Sequence, residues 1–519
     1  MSQERSRTVR FVQNTLSTAI YQITAMMLGM ITPRLMMLYY GSGVNGVIVS
    51  ITDFLSYFRM VEAGLAATAM HALYQPLADK DDSAISSIVS AARTFYLKVG
   101  WIFSALTIVF ALIYPLVVPV TGLEGELKST LSVMLLILAM GVSGAFEFFT
   151  LSRYRVLLNA DQRAYIISLI SMVTLMLSTL FIVALPYIGA DVVIVQLCVS
   201  LTIVIRPIFL SRYVAKHYPR IDAYAKPNVA AMSGRKDALI FELTQILTQG
   251  AGVILATLIT RDTLILSVYG VYHMVTIGLG GILKMGTTGV YAIFGNLIVS
   301  GDRGRFQRAY RDFECLFQLI CAVLFGVATV LIVPFVNLYT HGINDANYNL
   351  PILGFLIILD ALTYQCRIPL DLMVSASGAF RDLRKQSIWQ VAITFVLGTA
   401  LGLIGFQFGT VHAVCGIVAA VCIANIVRLC TQLAYVPRRI IGLPWQLSAR
   451  RMLGILIVVL LISVPCLLLI SPPQRFFTWV MYAAVLVPYG AAIALAVAWL
   501  FDREALKSLI SRLRNLLSR

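Results

Sequence analysis

The feature that most limits this chain is a series of apolar stretches, each about twenty residues or longer, recurring from end to end. From Met452 to Ile470, and again from Phe476 to Leu500, there is no Asp, Glu, Lys, Arg or His. Inside a bilayer the backbone has no water to bond with, so such stretches must satisfy their N–H and C=O groups internally, as helices. A transmembrane barrel would instead show segments of about ten residues alternating between apolar and polar. Hydrophobic residues make up 59% of the chain and charged ones 12%, against roughly 25% charged in soluble domains. The expected fold is all-α, a polytopic membrane protein with about 14 transmembrane helices. The first segment is too long, and through Gln13, Asn14, Thr15, Ser17 and Thr18 too polar, for a signal peptide, so it is expected to stay as helix one.

The basic residues order these helices. Arg5, Arg7 and Arg10, then Lys80, Arg93 and Lys98, then Arg153, Arg155 and Arg163 fall on one side. Arg212, Lys216, Arg220, Lys226, Arg235 and Lys236 continue it, as do the clusters around Arg303, Arg381, Arg438, Arg450 and Arg503. The other side holds only Lys128, Arg261 and Arg475. The positive-inside rule makes both termini and the basic loops cytoplasmic. The net charge of +16 is thereby spread over every loop on one side, which argues against nucleic acid as a partner. The eight cysteines and five histidines show no metal-ligand spacing, and no phosphate-binding Walker loop is present. No cofactor is expected, and no metal.

Val44-Asn45-Gly46-Val47 aligns with Val268-Tyr269-Gly270-Val271, each after an apolar span, and a basic residue follows deep in the next helix, Arg59 in one case and Lys284 in the other. The expected organisation is two six-helix lobes as parallel repeats, with substrate between them. Residues 1–214 form the N-lobe, 215–237 a cytoplasmic inter-lobe loop and 238–437 the C-lobe. Helices thirteen and fourteen (438–501) stand outside the repeats. The tail (502–519) is an amphipathic helix expected to lie on the anionic inner leaflet.

Charges inside membrane-length helices are costly and mark lumens or networks. Pro33 is expected to kink helix one beside Arg34. Arg59 lies too deep in helix two to reach the surface easily, and Glu62, three residues on, is positioned to neutralise it. Asp53 lacks a basic residue one turn away. Lys284 lies in a glycine-rich helix without an acidic neighbour. Asp360, Tyr364, Arg367 and Asp371 form one stripe on helix ten, with Arg367 and Asp371 paired one turn apart. Glu147 lies within reach of Arg153 or Arg155, and Arg206 and Arg428 are expected to snorkel to the cytoplasmic surface. Cations at different depths favour an anionic, phosphate-bearing amphiphile, because guanidinium matches phosphate with paired hydrogen bonds. Arg34, Arg59 and Lys284 are the candidate pyrophosphate ligands. Asp53, Glu62, Asp360, Arg367 and Asp371 are candidates for ion coupling or a lumen network.

Asn14-Thr15, Pro33-Arg34, Tyr40-Gly41, Asn45-Gly46 and Glu62-Ala63-Gly64-Leu65 resemble the opening of the bacterial polysaccharide biosynthesis proteins. These are the Wzx-type flippases of the multidrug/oligosaccharidyl-lipid/polysaccharide (MOP) exporter superfamily. The resemblance implies two lobes around a cationic cavity. It also implies alternating-access transfer of an undecaprenyl-pyrophosphate-linked oligosaccharide from the cytoplasmic to the outer leaflet, for cell-surface polysaccharide export. A multi-pass location in the bacterial cytoplasmic membrane follows, with membrane lipid, a polysaccharide polymerase and glycosyltransferases as candidate partners and H+, Na+ or the membrane potential as candidate drivers. Lipid II flippases of the superfamily carry arginines on helices one, two and eight and an aspartate on helix two. Arg34, Arg59 and Asp53 fit that placement, and Lys284 departs from it.

Two other readings are open. A cation-coupled multidrug exporter of the same superfamily would show a conspicuously acidic cavity, whereas Asp53 and Glu62 share their helix with Arg59. A membrane-embedded glycosyltransferase or polymerase would carry long outer loops with paired carboxylates. The outer loops are short, and Glu124 and Glu126 read as solvated charge.

Overall fold

The computed structural model describes residues 2–62, 65–119, 127, 129–228, 236–287, 290–469 and 471–517. Ala63, Gly64, Glu124, Glu126, Lys128, Arg235 and Arg519 lie outside the described residues. Among those described there are helices and turns and no strand. Twelve helices among the described residues are long and apolar enough to cross a membrane. One apolar span, Leu16–Glu62, has 47 residues, roughly 70 Å at 1.5 Å per residue and more than twice the hydrocarbon thickness. It runs through α1 (Ser2–Phe58), which breaks at Gly41 (φ 85°, ψ 162°), a conformation open to glycine and strained for other residues. Pro33 sits inside the first arm without a break, so the kink expected there falls at Gly41. A proline ring interferes with only one carbonyl, whereas the left-handed glycine redirects the chain. α9 (Lys236–Gln249) and α10 (Ala251–Thr260), bent by 48° at Gly250, pass the same test as a pair. With the long helix counted as two arms and the bent pair as one span, the number agrees with the fourteen expected.

By internal contact the chain divides into Met1–Ser267 and Val268–Arg519. This contact boundary is a different quantity from the repeat boundary expected at 215–237. The first unit holds α1, α2 (Leu65–Asp79), α3 (Asp82–Val117), α4 (Thr130–Phe146), α5 (Ser152–Ala160), α6 (Ala164–Tyr187), α7 (Val192–Leu201), α8 (Ile205–His217), α9 and α10, with α1 packed on α6, α10, α4 and α3. An aromatic ladder joins α1 to α3: Phe54 lies 4.7 Å from Phe110, and Phe58 lies 6.5 Å from Phe103. Glycine makes the closest approaches possible. A Cβ on Gly46 would fall 1.7 Å from the Thr263 carbonyl oxygen, so α1 meets the turn between α10 and α11 (Thr263–Thr287) backbone to backbone. Around that contact Asn45 donates to Ser267 (2.8 Å) and Ser50 bonds Thr257 (2.9 Å). The Tyr57 hydroxyl donates to the Leu247 carbonyl.

The described part of the inter-lobe segment folds back on α3. Ser90 donates to the Ala225 carbonyl at 2.6 Å, the Asp222 amide to Ser86 at 3.0 Å, and the Arg93 guanidinium lies 4.0 Å from the Tyr224 ring. Burial and a hydrogen bond to Asp161 push the Tyr218 phenol above its ordinary pKa, so it acts as a donor at neutral pH.

The second unit contains the rest of α11 (Thr263–Thr287), then α12 (Val290–Val299), α13 (Arg303–Tyr339), α14 (Pro351–Ser377), α15 (Phe380–Phe406), α16 (Thr410–Val436), α17 (Trp445–Leu469), α18 (Phe476–Phe501) and α19 (Arg503–Leu517). α17 and α18 pack on α13, where Gly326 and Gly490 both admit the Ile462 side chain. α19 begins against protein: Ala505 and Leu506 are buried, Arg311 meets Glu504 at 3.1 Å, and Ser508 donates to Asp312 at 3.2 Å. The first turns of the tail therefore cover α13 instead of lying wholly on a leaflet. Side chains from Arg512 onward, including Arg514, lie outside those described.

Candidate functional site

Three helices of the first unit change winding at about the same place. After Phe58 the chain tightens into a 3-10 turn, Arg59–Glu62. After Phe146 it widens into a π turn, Glu147–Leu151. After Leu201 it tightens again over Thr202–Val204. Such irregularities free backbone groups and redirect side chains, and they recur at functional sites. Here they surround a cavity of about 500 Å3.

Three guanidiniums face it: Arg59, Arg155 and Arg206. Arg59 meets Glu147 at 3.4 Å, and Arg155 meets Glu147 at 2.8 Å and Glu62 at 3.4 Å. Glu62 also accepts from Tyr96 at 3.1 Å. The pairing expected between Arg59 and Glu62 is thus replaced by two longer-range pairs, Arg59 with Glu147 and Glu62 with Arg155. The Glu147–Arg155 contact expected from the sequence is present. The Arg59 side chain is 44% exposed while that of Glu147 is 14% exposed, which leaves guanidinium N–H groups of Arg59 open to the cavity.

Arg206 does not snorkel. Its Nε donates to Thr174 Oγ1 at 2.9 Å, across from α8 to α6, and no carboxylate is within ion-pair distance among the described residues. The remaining wall is rich in hydroxyls, including Tyr21, Ser143, Ser171, Ser178 and Ser200. Hydroxyls and guanidiniums together are donors suited to phosphate oxygens and to sugar oxygens.

The other sequence candidates fall elsewhere. Arg34 is half-buried and Lys284 exposed, and both are engaged with neighbours. Asp53 lies on the second arm of α1, and its carboxylate accepts no hydrogen bond among the described residues. On the helix of Lys284, Gly280 faces Gln365, so glycine there serves close packing.

In the second unit Arg367 pairs with Asp371 at 2.8 Å, as the stripe on α14 implies, with the Tyr364 ring 4.9 Å from its guanidinium. Uncharged partners bond to both carboxylates of the stripe. Gln432 donates to Asp371 (2.7 Å), Asn425 to Asp360 (2.8 Å), and Gln390 to Asn425 (2.8 Å). Arg428, expected at the surface, is 1% exposed and donates to Ser387 at 2.6 Å. Asn425, Gln390 and Gln432 escape sequence reasoning because an amide in an apolar helix carries no charge to flag it. Among the described residues no group of three or more His, Cys, Asp or Glu side chains is placed to hold a metal.

Neither a protein-family model nor a curated protein matches the sequence. Solved structures do match in three dimensions. The lipid II flippase MurJ, in an inward closed conformation, aligns with TM-score 0.56 and 14% identity over 94% of this chain and 99% of its own. A MATE-family multidrug resistance transporter of the MOP superfamily, inward-facing, aligns with TM-score 0.55 and 12% identity over 82% and 98%. A MOP-superfamily transporter from Pyrococcus furiosus Vc1 (DSM3638) aligns with TM-score 0.58 and 13% identity over 83% and 95%. The chain shares its fold with these solved transporters. Identities this low carry the architecture and leave substrate choice to the cavity's chemistry.

Proposed function

We propose that this chain is a transporter of a lipid-linked anionic glycan, a flippase that moves an undecaprenyl-pyrophosphate-linked oligosaccharide between leaflets by alternating access. The observation that carries the reading is Arg206 in the first-unit cavity. It adds a third guanidinium to a site whose carboxylates, Glu62 and Glu147, are already engaged by Arg155 and Arg59. A cavity with cations in excess and a wall of hydroxyls suits a pyrophosphate and the first sugars. The alignment with a lipid II flippase over 94% of the chain supports the same reading. Arg34 and Lys284 stay as further candidate headgroup contacts, and the bacterial cytoplasmic membrane with both termini inside stays as the proposed setting.

The test is native mass spectrometry of the purified protein with a polyprenyl-pyrophosphate oligosaccharide and with a neutral polyprenol. Arg59→Gln, Arg206→Gln and Lys284→Gln are compared with wild type. A charge-assisted hydrogen bond contributes roughly 1.5–3 kcal/mol, so Arg206→Gln should weaken retention by about ten- to a hundredfold. Equal retention of the charged and neutral lipids by wild type would remove the proposal.

The runner-up is a multidrug exporter, favoured by Glu147 in the cavity wall and by the MATE-family alignment. It expects a cationic drug to bind and Glu147→Gln to abolish that binding. The Pyrococcus furiosus transporter is described in terms of a binding pocket of reverse polarity that suggests a different function, which makes cavity charge the property to test.

A further inference from the structure

A second concavity of the first unit is also lined by α6 and α8, and it shares Ile170 with the polar cavity. It is a groove of about 370 Å3. Its walls are Ile166, Leu169 and Ile170 from α6 and Phe209 from α8, and its rim carries Arg212, Tyr213 and Lys216. Phe209, Arg212 and Lys216 are three and four residues apart and so share one face of α8. Both cations are exposed, and among the described residues neither meets a carboxylate within ion-pair distance. From the groove an exposed apolar stripe climbs α6 through Leu169, Val173, Met176 and Leu180, at spacings of four, three and four.

The frame of the groove is pinned. Arg163 meets Asp161 at 2.8 Å and donates to the Tyr213 hydroxyl at 2.8 Å, and the Tyr213 ring stacks on His217 at 4.0 Å. Asn14 holds the turn before α6 by accepting from the Tyr165 amide (2.8 Å) and donating to the Gln162 carbonyl (2.7 Å). Nearer the membrane centre Arg206 and Thr174 tie the same two helices together.

A pair of cations one turn apart, set at the end of an apolar stripe and at the helix end where the basic loops gather, matches an anionic amphiphile with its phosphate at the rim and a chain along the stripe. We propose that this groove is a binding site for an anionic phospholipid of the leaflet on the arginine-rich side. The phosphate sits between Arg212 and Lys216, and one acyl chain runs along Leu169, Val173, Met176 and Leu180. The site is separate from the polar cavity and stands whether or not that cavity takes a glycan.

The experiment uses the full chain in nanodiscs with a photo-crosslinkable phosphatidylglycerol, crosslinked peptides being mapped, and with the matching phosphatidylcholine as control. Wild type should crosslink on α6 between Ile166 and Leu180 with phosphatidylglycerol well above phosphatidylcholine. Arg212→Gln with Lys216→Gln should lower that crosslink about tenfold, to the phosphatidylcholine level, without changing the thermal midpoint, since both side chains are exposed. Leu169→Trp, which fills the groove and leaves its charge intact, should lower it too. Arg212→Lys should retain most of it. An unchanged crosslink in the double variant, equal labelling by the two lipids, or full competition by millimolar inorganic phosphate would overturn the assignment.

Discussion

Arg451 shows how far a single residue departs from its place in a charge count. By sequence it is one more arginine of a basic loop, yet it is 7% exposed, with Nη1 donating to Glu314 at 2.6 Å and Nε to Asp502 at 2.7 Å. Glu314 is fully buried and Asp502 is 8% exposed. Removing one member of a buried ionic cluster strands the others, at a cost of roughly 3–5 kcal/mol. Arg451→Met should accordingly lower the thermal unfolding midpoint in detergent by several degrees, and adding Glu314→Gln with Asp502→Asn should recover most of the loss. A midpoint unmoved by Arg451→Met would mean that water reaches these carboxylates. Arg367 and Asp371 are legible in the sequence because a pair one turn apart needs no tertiary information. Arg451, Arg206 and Arg428 are not, because depth counted along an ideal helix says nothing of the helix packed alongside.

Elements follow the same division. That the chain forms apolar helices, and about how many, can be read from the lengths of its apolar stretches. Where those helices break cannot. Pro33 is the visible candidate in α1, but Gly41 takes the left-handed turn, and the π turn at Glu147–Leu151 follows no residue signal at all. These breaks decide which side chains meet in the cavity, so the site is less legible than the fold. Gly46 is the most demanding element contact in the first unit, since any Cβ there enters the van der Waals radius of the Thr263 carbonyl. Overpacking costs about 1–3 kcal/mol where neighbours yield, and a backbone neighbour yields little. Gly46→Leu is expected to separate α1 from the α10–α11 turn and break the Asn45–Ser267 bond. Cysteines placed at Asn45 and Ser267 should crosslink readily in the wild-type background and poorly with Gly46→Leu. Equal crosslinking in the two would show that the contact re-forms around the larger side chain.

At the scale of the whole molecule the proposed transport needs a driver, and two carboxylates of different kinds are available. Asp53 has no hydrogen bond to its carboxylate among the described residues, while Asp360 accepts only from the Asn425 amide, which Gln390 orients in turn. Arg367, the cation on the same helix, pairs with Asp371 and makes no ion pair with Asp360 among the described residues. A half-buried carboxylate bonded by neutral donors keeps room for a proton or a small cation, whereas one in an ion pair does not. Under the proposed transport, Asp53 and Asp360 are the candidates for coupling ahead of Asp371 and Glu62. In proteoliposomes with an imposed pH or sodium gradient, wild type should accumulate substrate on one side, and the asparagine variant of the coupling residue should still equilibrate it without accumulation. Asp371→Asn should instead lose stability, because it leaves Arg367 buried beside an uncharged partner. Retention of gradient-driven accumulation by both Asp53→Asn and Asp360→Asn would exclude carboxylate coupling at these positions. Membrane potential acting on the charged substrate itself would then be the driver, and a potassium–valinomycin potential of either sign should set the direction of net transfer even in the double variant.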